Sequence, residues 1–267
     1  MSQFGLSLRV IMSSFELSSL FLLILLFPSF HPKGGASASA SAEEADALLK
    51  WKVSSGNQDN TLLSSWNLQS NTAKNSSNLP CTWAGIFCIG GSVNWLNLSK
   101  SSIKGSLDSC PFSSLTNLQY LDLSLNQIFG SIPPQIGNLS KLIYLDFSVN
   151  QLSGEIPTEI GNLENLTRFA LGRNQLSGSI PPVIGSLGNL VTIYLQYNYL
   201  TGPVPPTLGN LSRLEKLLLF QNHLSGSIPP EIGNLISLRS LIFFGNNLTG
   251  EIPNSLGNLT DLNVLHL

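Results

Sequence analysis

A phrase of 24 residues, repeated from Leu115 to Leu267, limits what this chain can fold into more than any other feature. Its fixed points are Asn126, Asn150, Asn174, Asn198, Asn222 and Asn246. Each is preceded by apolar residues spaced L-x-x-L-x-L and followed by x-[LI]-x-G-x-[IV]-P. In the first full copy the inward set is Leu118, Leu121, Leu123, Asn126, Ile128, Ile132, Ile136 and Leu139. So short a unit has an apolar side that only the next unit can cover, so copies stack and stability comes from contacts between neighbours. The expected fold is an α/β solenoid. It is a right-handed superhelix with one short parallel strand per repeat and a helical cap at its N-terminal end.

Each fixed point has a chemical reason. Around Leu121 and Leu123 the alternation has period two, which sends Tyr120, Asp122 and Ser124 to one face and the leucines to the core. Where this strand ends, the chain turns inward and leaves backbone groups without strand partners. A buried Asn amide supplies both a donor and an acceptor there, so the asparagines read as a structural ladder. Gly130, Gly154, Gly178, Gly202, Gly226 and Gly250 stand where the bend calls for positive φ. Pro133, Pro157, Pro181, Pro205, Pro229 and Pro253 fix φ and hold the preceding residue extended, which predicts a short second strand in each repeat.

Charge is sparse: 13 Lys+Arg face 15 Asp+Glu across 267 residues, with no basic cluster. Nucleic acid and anionic membrane surfaces are poor partners for such a chain. An enzyme reading fails on inventory. Of the three histidines, His31 lies near the N-terminus, His223 follows a ladder Asn and His266 is next to last. No His, Cys and Asp set recurs with catalytic or metal-binding spacing, and Glu155 and Glu251 share a surface slot. No catalytic residue, metal or cofactor is expected.

Arg9, the apolar run Leu20 to Phe27 and the small residues Ala36 to Ala42 read as a secretory leader over residues 1–42. The run is too short to span a bilayer; read the other way, it is a signal anchor. Secretion makes the three cysteines informative. Cys81 and Cys88, in CTWAGIFC, are close enough in sequence to pair in an oxidising compartment. Cys110 is left as a small buried residue, an intermolecular partner or a reactive thiol. Secretion also gives meaning to the N-x-[ST] sequons at Asn75, Asn97, Asn138, Asn165, Asn210, Asn247 and Asn258. Asn97 falls on a strand and is expected to be hindered. Asn138, Asn210 and Asn258 fall in G-N-L turns with easier access.

Between leader and repeats, EEADALLKWKV predicts a helix of about three turns with acidic residues in its first turn. Residues 54 to 80 are turn-rich, with only Leu62, Leu63 and Trp66 available for burial. The cap is expected over 43–92 and the repeats over 93–267, the last one incomplete. The first repeat is irregular, with Ser101 in place of the ladder Asn.

A stacked parallel sheet presents columns of outward residues about 4.8 Å apart. The slot between the two strand leucines holds Asn97, Asp122, Asp146, Ala170, Tyr194, Leu218, Ile242 and His266. The next outward slot holds Ser99, Ser124, Ser148, Gly172, Gln196, Phe220 and Phe244. The early half of these columns is polar, whereas from Tyr194 onward both turn aromatic and aliphatic. A contiguous exposed patch of this kind marks an interaction surface. The candidate ligand-binding set is Tyr194, Gln196, Tyr197, Leu218, Phe220, Ile242 and Phe244; the bland alternative is lateral packing without a partner.

The repeat L-x-x-L-x-L-x-x-N-x-L-[ST]-G-x-I-P-x-x-[IL]-G-N-L resembles that of the extracellular domain of plant leucine-rich-repeat receptor-like serine/threonine kinases. ALLKWK, LSSW and PCTWAGIFC look like the paired-cysteine N-terminal cap of that group. The resemblance implies recognition of an extracellular peptide or protein ligand, with a co-receptor ectodomain as a possible further partner. It places the chain in the secretory pathway and at the extracellular face of the plasma membrane. Against the family pattern, the sequence carries no C-terminal cap, membrane helix, glycine-rich phosphate loop, HRD or DFG motif. It reads as the N-terminal part of such a receptor. The alternative is a secreted soluble protein of the same architecture, such as a cell-wall-enzyme inhibitor or a kinase-less receptor-like protein.

Overall fold

The structure is a computed structural model and describes residues 38–68 and 80–267. Nearly all of the expected leader, and the sequon at Asn75, lie outside the described residues.

From Ile86 onward one nine-stranded sheet runs the length of the solenoid. Ile86–Ile89 pairs antiparallel with Ser92–Asn97. Every later strand adds in parallel: Tyr120–Asp122, Tyr144–Asp146, Arg168–Ala170, Thr192–Tyr194, Lys216–Leu218, Ser240–Ile242 and Val264–His266. From Tyr120 on, the register advances by one repeat per strand, so Leu121 sits opposite Leu145 and Leu217 opposite Leu241. The strand leucines from Leu96 to Leu241 are buried. Fixed register is what turns a sequence period into columns of side chains on the outer face.

The second strand expected before each proline is present. Lys104–Ser106, Gln127–Gly130, Gln151–Glu155 and Gln175–Ser177 form one sheet, and Thr201–Pro203, His223–Gly226 and Asn247–Leu248 another. The bend that follows uses positive φ, as at Gly130 with φ 80°. The return limb is a five-residue 3₁₀ turn in every full repeat, from Pro134–Asn138 to Asn254–Asn258. Sequence patterning did not single out this turn. Its trigger is the fixed proline, which enters at φ −74° and ψ 147° for Pro133 and delivers the chain to one tight turn. These turns stack closely. A side chain at Gly209 would overlap the carbonyl oxygen of Glu231 in the next repeat.

The cap differs in one respect from its sequence reading. The helix, α1, spans Ala38–Ser54 and has no acidic residue in its first turn. Glu44 therefore faces inward instead of sitting at an exposed helix start. It accepts hydrogen bonds from Ser92 Oγ at 2.5 Å and Val93 N at 3.0 Å, and burial raises its pKa above the ordinary 4.5. Beside it Trp51, Trp66 and Trp83 pack in a row, with ring centroids 6.4 and 5.5 Å apart. Asn57 closes the cap onto the repeats. It donates to Lys104 O at 2.7 Å and accepts from Lys104 N at 2.9 Å, pairing the backbone of Lys104 at the start of the strand Lys104–Ser106.

Candidate functional site

The outer face of the long sheet is positioned by the asparagine ladder. Asn198 Nδ2 donates to Leu195 O of its own repeat and Leu171 O of the one before, both at 3.1 Å, and its Oδ1 accepts from Leu176 N at 3.0 Å. Asn126, Asn150, Asn174, Asn222 and Asn246 repeat this pattern. The residue before each ladder position adopts the left-handed conformation: Lys100, ahead of Ser101, and Leu125, Val149, Arg173, Tyr197 and Gln221, each ahead of an Asn, have φ between 52° and 58°, and Gly245 fills the same slot. That conformation is disfavoured for side chains other than Gly, Asn and Asp, yet the ladder imposes it at each repeat. Tyr197 is thereby turned up at the rim of the face, where Arg173 lies over its ring at 4.4 Å.

Of the residues singled out in sequence, Tyr197, Phe220 and Phe244 come together. Tyr197 meets Phe220 edge-on at 5.1 Å, and Phe220 stacks on Phe244 at 4.8 Å. Tyr197 is 38% and Phe244 37% exposed, so these rings face solvent while touching one another. Leu218, Ile242 and Gln196 are half-buried in the same surface. Tyr194 departs from this picture: it points to the outer face but is only 8% exposed, with the Arg168 guanidinium 4.8 Å over its ring.

The early half of the face is less plain than the two columns read from sequence imply. A third column, two residues earlier in each strand and so on the same face, carries Trp95, Tyr120 and Tyr144, stacked at 3.4 and 4.1 Å, and then Arg168. Its signal was present in the sequence at the same 24-residue offset. Arg168 bonds Asp146 Oδ2 at 3.0 Å and lies between the rings of Tyr144 and Tyr194. Burial opposes its charge, but Tyr144 and Asp146 outweigh that and hold it protonated. The acids in this half are turn-formers: Oδ1 of Asp122 and of Asp146 accepts from the backbone N two residues on, at 2.9 Å. Burial raises the Asp122 carboxyl, which has no cation beside it, and pushes the Tyr120 hydroxyl up as well. Among the described residues no group of three His, Cys, Asp or Glu is arranged to hold a metal ion.

Cys81 and Cys88 are disulfide-bonded with Cα atoms 5.4 Å apart, and Cys110 is a buried free thiol whose pKa burial pushes well up. Asn138, Asn165, Asn210, Asn247 and Asn258 are exposed; Asn97 is half-buried and accepts from Ser99 N and Oγ. No helix among the described residues is long and apolar enough to cross a membrane.

Residues 41–89 match the leucine rich repeat N-terminal domain, and residues 117–139, 141–163, 165–187, 189–211, 213–235 and 237–259 match the leucine rich repeat. A probable leucine-rich repeat receptor-like protein kinase of Arabidopsis thaliana is 46% identical over 116 residues, which is 43% of this chain and 10% of that protein. Among solved structures, the complex PEPR1–AtPEP1 aligns with TM-score 0.74 and 35% identity, over 83% of this chain and 30% of its own. The plant peptide hormone receptor RGFR1 in complex with RGF2 aligns with TM-score 0.57 and 46% identity, over 57% and 25%. The chain thus spans about a tenth of the length of the curated relative and less than a third of these receptor chains.

Proposed function

We propose that this chain, which belongs to the leucine-rich-repeat family, is an extracellular recognition module whose outer sheet face holds an extended peptide. The observation that carries the reading is the contacting aromatic set of exposed Tyr197 and Phe244 with half-buried Phe220 between them, held on a backbone that the asparagine ladder fixes. Aromatic residues on a rigid frame bury large area with little loss of rotamer freedom, which is the physical requirement for a binding hot spot. Strands about 4.8 Å apart are spanned by an extended chain that advances about 3.3 Å per residue, without any change in the scaffold. Solved receptors similar to this chain include one bound to a peptide hormone, which supports the same class of ligand.

On this reading residues 1–42 are a secretory leader, 43–92 the cap and 93–267 the repeats, displayed outside the cell as the ligand-sensing part of a receptor-like kinase. The ligand-binding set is Gln196, Tyr197, Leu218, Phe220, Ile242 and Phe244, with Tyr194 supporting it from beneath Arg168. The exposed sequons carry glycans, and a co-receptor ectodomain is a further partner. The test uses a 12-residue peptide selected from a random library on the secreted protein. Phe220→Ala or Phe244→Ala should weaken its binding by about 2 kcal/mol at unchanged folding. Leu217→Ala or Leu241→Ala should instead lower stability by about 2 to 5 kcal/mol. Unchanged affinity in both outward variants would move the site elsewhere on the coil.

A further inference from the structure

The outer face is shallowest along one strand. Two successive outward slots there hold Ala170 and Gly172, where other repeats carry larger groups. A Cβ on Gly172 would stand 2.8 Å from the side-chain amide of Gln196, so the absence of a side chain is what lets Gln196 lie across it. Arg168 leans over the same strand, between two tyrosine rings and bonded to Asp146. In this shallow place three polar atoms are buried without a hydrogen-bond partner: Arg168 Nε, Thr192 Oγ1 and Gln196 Oε1. Thr192 is paired in register with Arg168, and Gln196 lies four residues along from Thr192. The other buried side-chain atoms without partners among the described residues are the indole nitrogens of Trp51 and Trp83, in the cap.

A buried donor or acceptor left unpaired lowers stability, so a group that shifts the side chains covering these atoms and offers both functions is bound with gain. The chemistry of that group follows from the charges present. Arg168 is already neutralised by Asp146 at 3.0 Å, and Asp122 nearby has no cation beside it. Lys216, paired in register with Thr192, and Arg173 over Tyr197 bring positive charge to either side of the site, so the preference against a carboxylate rests on Arg168 itself, whose charge Asp146 already answers. A neutral carboxamide brings an acceptor for the Arg168 Nε–H and a donor or acceptor for the Thr192 hydroxyl.

Resting on the peptide-binding reading above, we infer that the ligand presents an Asn or Gln side chain to Arg168 and Thr192 and a large apolar residue to Phe220 and Phe244. The spacing is set by the sheet. From Arg168 to Phe220 or Phe244 is two or three strand steps of about 4.8 Å across the sheet and four residues of about 3.3 Å along it, a diagonal of about 16 to 20 Å that an extended peptide covers in five to six residues.

The experiment uses secreted protein and fluorescein-labelled 12-residue peptide pools, randomised except for Asn/Gln followed by Leu/Phe at +5 or +6. Companion pools replace the carboxamide with Asp, Lys or Ala. Wild type, Thr192→Val and Phe244→Ala are titrated by fluorescence polarisation. The carboxamide pool should bind at least tenfold more tightly than the others. Thr192→Val, which is isosteric and removes an unpartnered hydroxyl, should erase that preference while leaving the melting temperature equal or higher. Phe244→Ala should weaken every pool that binds. Binding that depends on Phe244 but ignores both the carboxamide and Thr192 would overturn this inference and leave the peptide-binding reading standing, and so would preference for the Asp pool. If no pool binds wild type, the peptide-binding reading falls and takes this inference with it.

Discussion

Replacing Asn198 by Ala should destabilise the repeats by about 2 to 4 kcal/mol, and the size of the effect follows from how the ladder shares its carbonyls. Asn198 is 5% exposed and serves three backbone groups: Leu171 O, Leu195 O and Leu176 N. Leu171 O is also bonded by Asn174 at 2.9 Å and Leu195 O by Asn222 at 3.0 Å, so both keep one partner in the single variant. Only Leu176 N–H is orphaned outright, at about 1 to 3 kcal/mol, with a smaller loss at each carbonyl. In Asn174→Ala with Asn198→Ala, Leu171 O loses both partners. That double variant should exceed the sum of the singles by about 1 to 2 kcal/mol. Asn150 and Asn222 share no carbonyl, so their double variant should be additive within about 0.5 kcal/mol. Urea unfolding of the secreted protein, followed by far-ultraviolet circular dichroism, gives all of these differences. Equal coupling in the adjacent and distant pairs would refute the shared-carbonyl account.

Val149 is a β-branched residue at φ 58°. Val149→Gly should raise stability by about 1 kcal/mol in the same unfolding assay, because the slot is left-handed and the side chain is exposed at the rim. The raised pKa of Glu44 makes stability depend on pH. Above the ordinary carboxylate value of 4.5 the unfolded chain loses this proton before the folded one does, so stability should fall as pH rises and level off above the folded pKa. Thermal melts from pH 4 to 8 should show that slope reduced in Glu44→Gln; an unchanged slope would remove Glu44 as its source. Changing Cys81 and Cys88 together to Ser opens an eight-residue loop and should lower stability by about 2.5 kcal/mol, read as a shift in the urea midpoint. Gly209→Ala should destabilise the stacked 3₁₀ turns, since its new methyl meets the Glu231 backbone rather than a side chain that can move. A midpoint equal to wild type would show that the turns can part.

The scaffold was legible in the sequence because its demands are met by residue type. Only an amide satisfies the ladder, only Gly suits the bend at positions such as Gly130, and only Pro starts the return limb. What escaped was set by position or by neighbours. The left-handed slot holds Lys100, Leu125, Val149, Arg173, Tyr197 and Gln221, which share no chemistry, because the ladder imposes the conformation whatever stands there. The burial of Tyr194 depends on Arg168, whose side chain crosses from a different column of the preceding repeat. Reading columns one at a time does not reveal such a diagonal. The stacked column of Trp95, Tyr120 and Tyr144 was visible at the repeat spacing but lay one outward slot, two residues, before the first of the two columns. Glu44 read as a helix-start acid because the residues up to Ala42 read as leader, whereas α1 begins upstream at Ala38.

Photocrosslinking locates where an extended peptide lies on the outer sheet face between Arg168 and Phe244. A library-selected peptide carrying benzoylphenylalanine in place of its apolar residue is irradiated on the secreted protein, and the linked residues are located by mass spectrometry. Crosslinks are expected at Tyr197, Phe220, Ile242 and Phe244. Crosslinks confined to the 3₁₀ turns, or to the second sheets around Gln151 and His223, would contradict this placement.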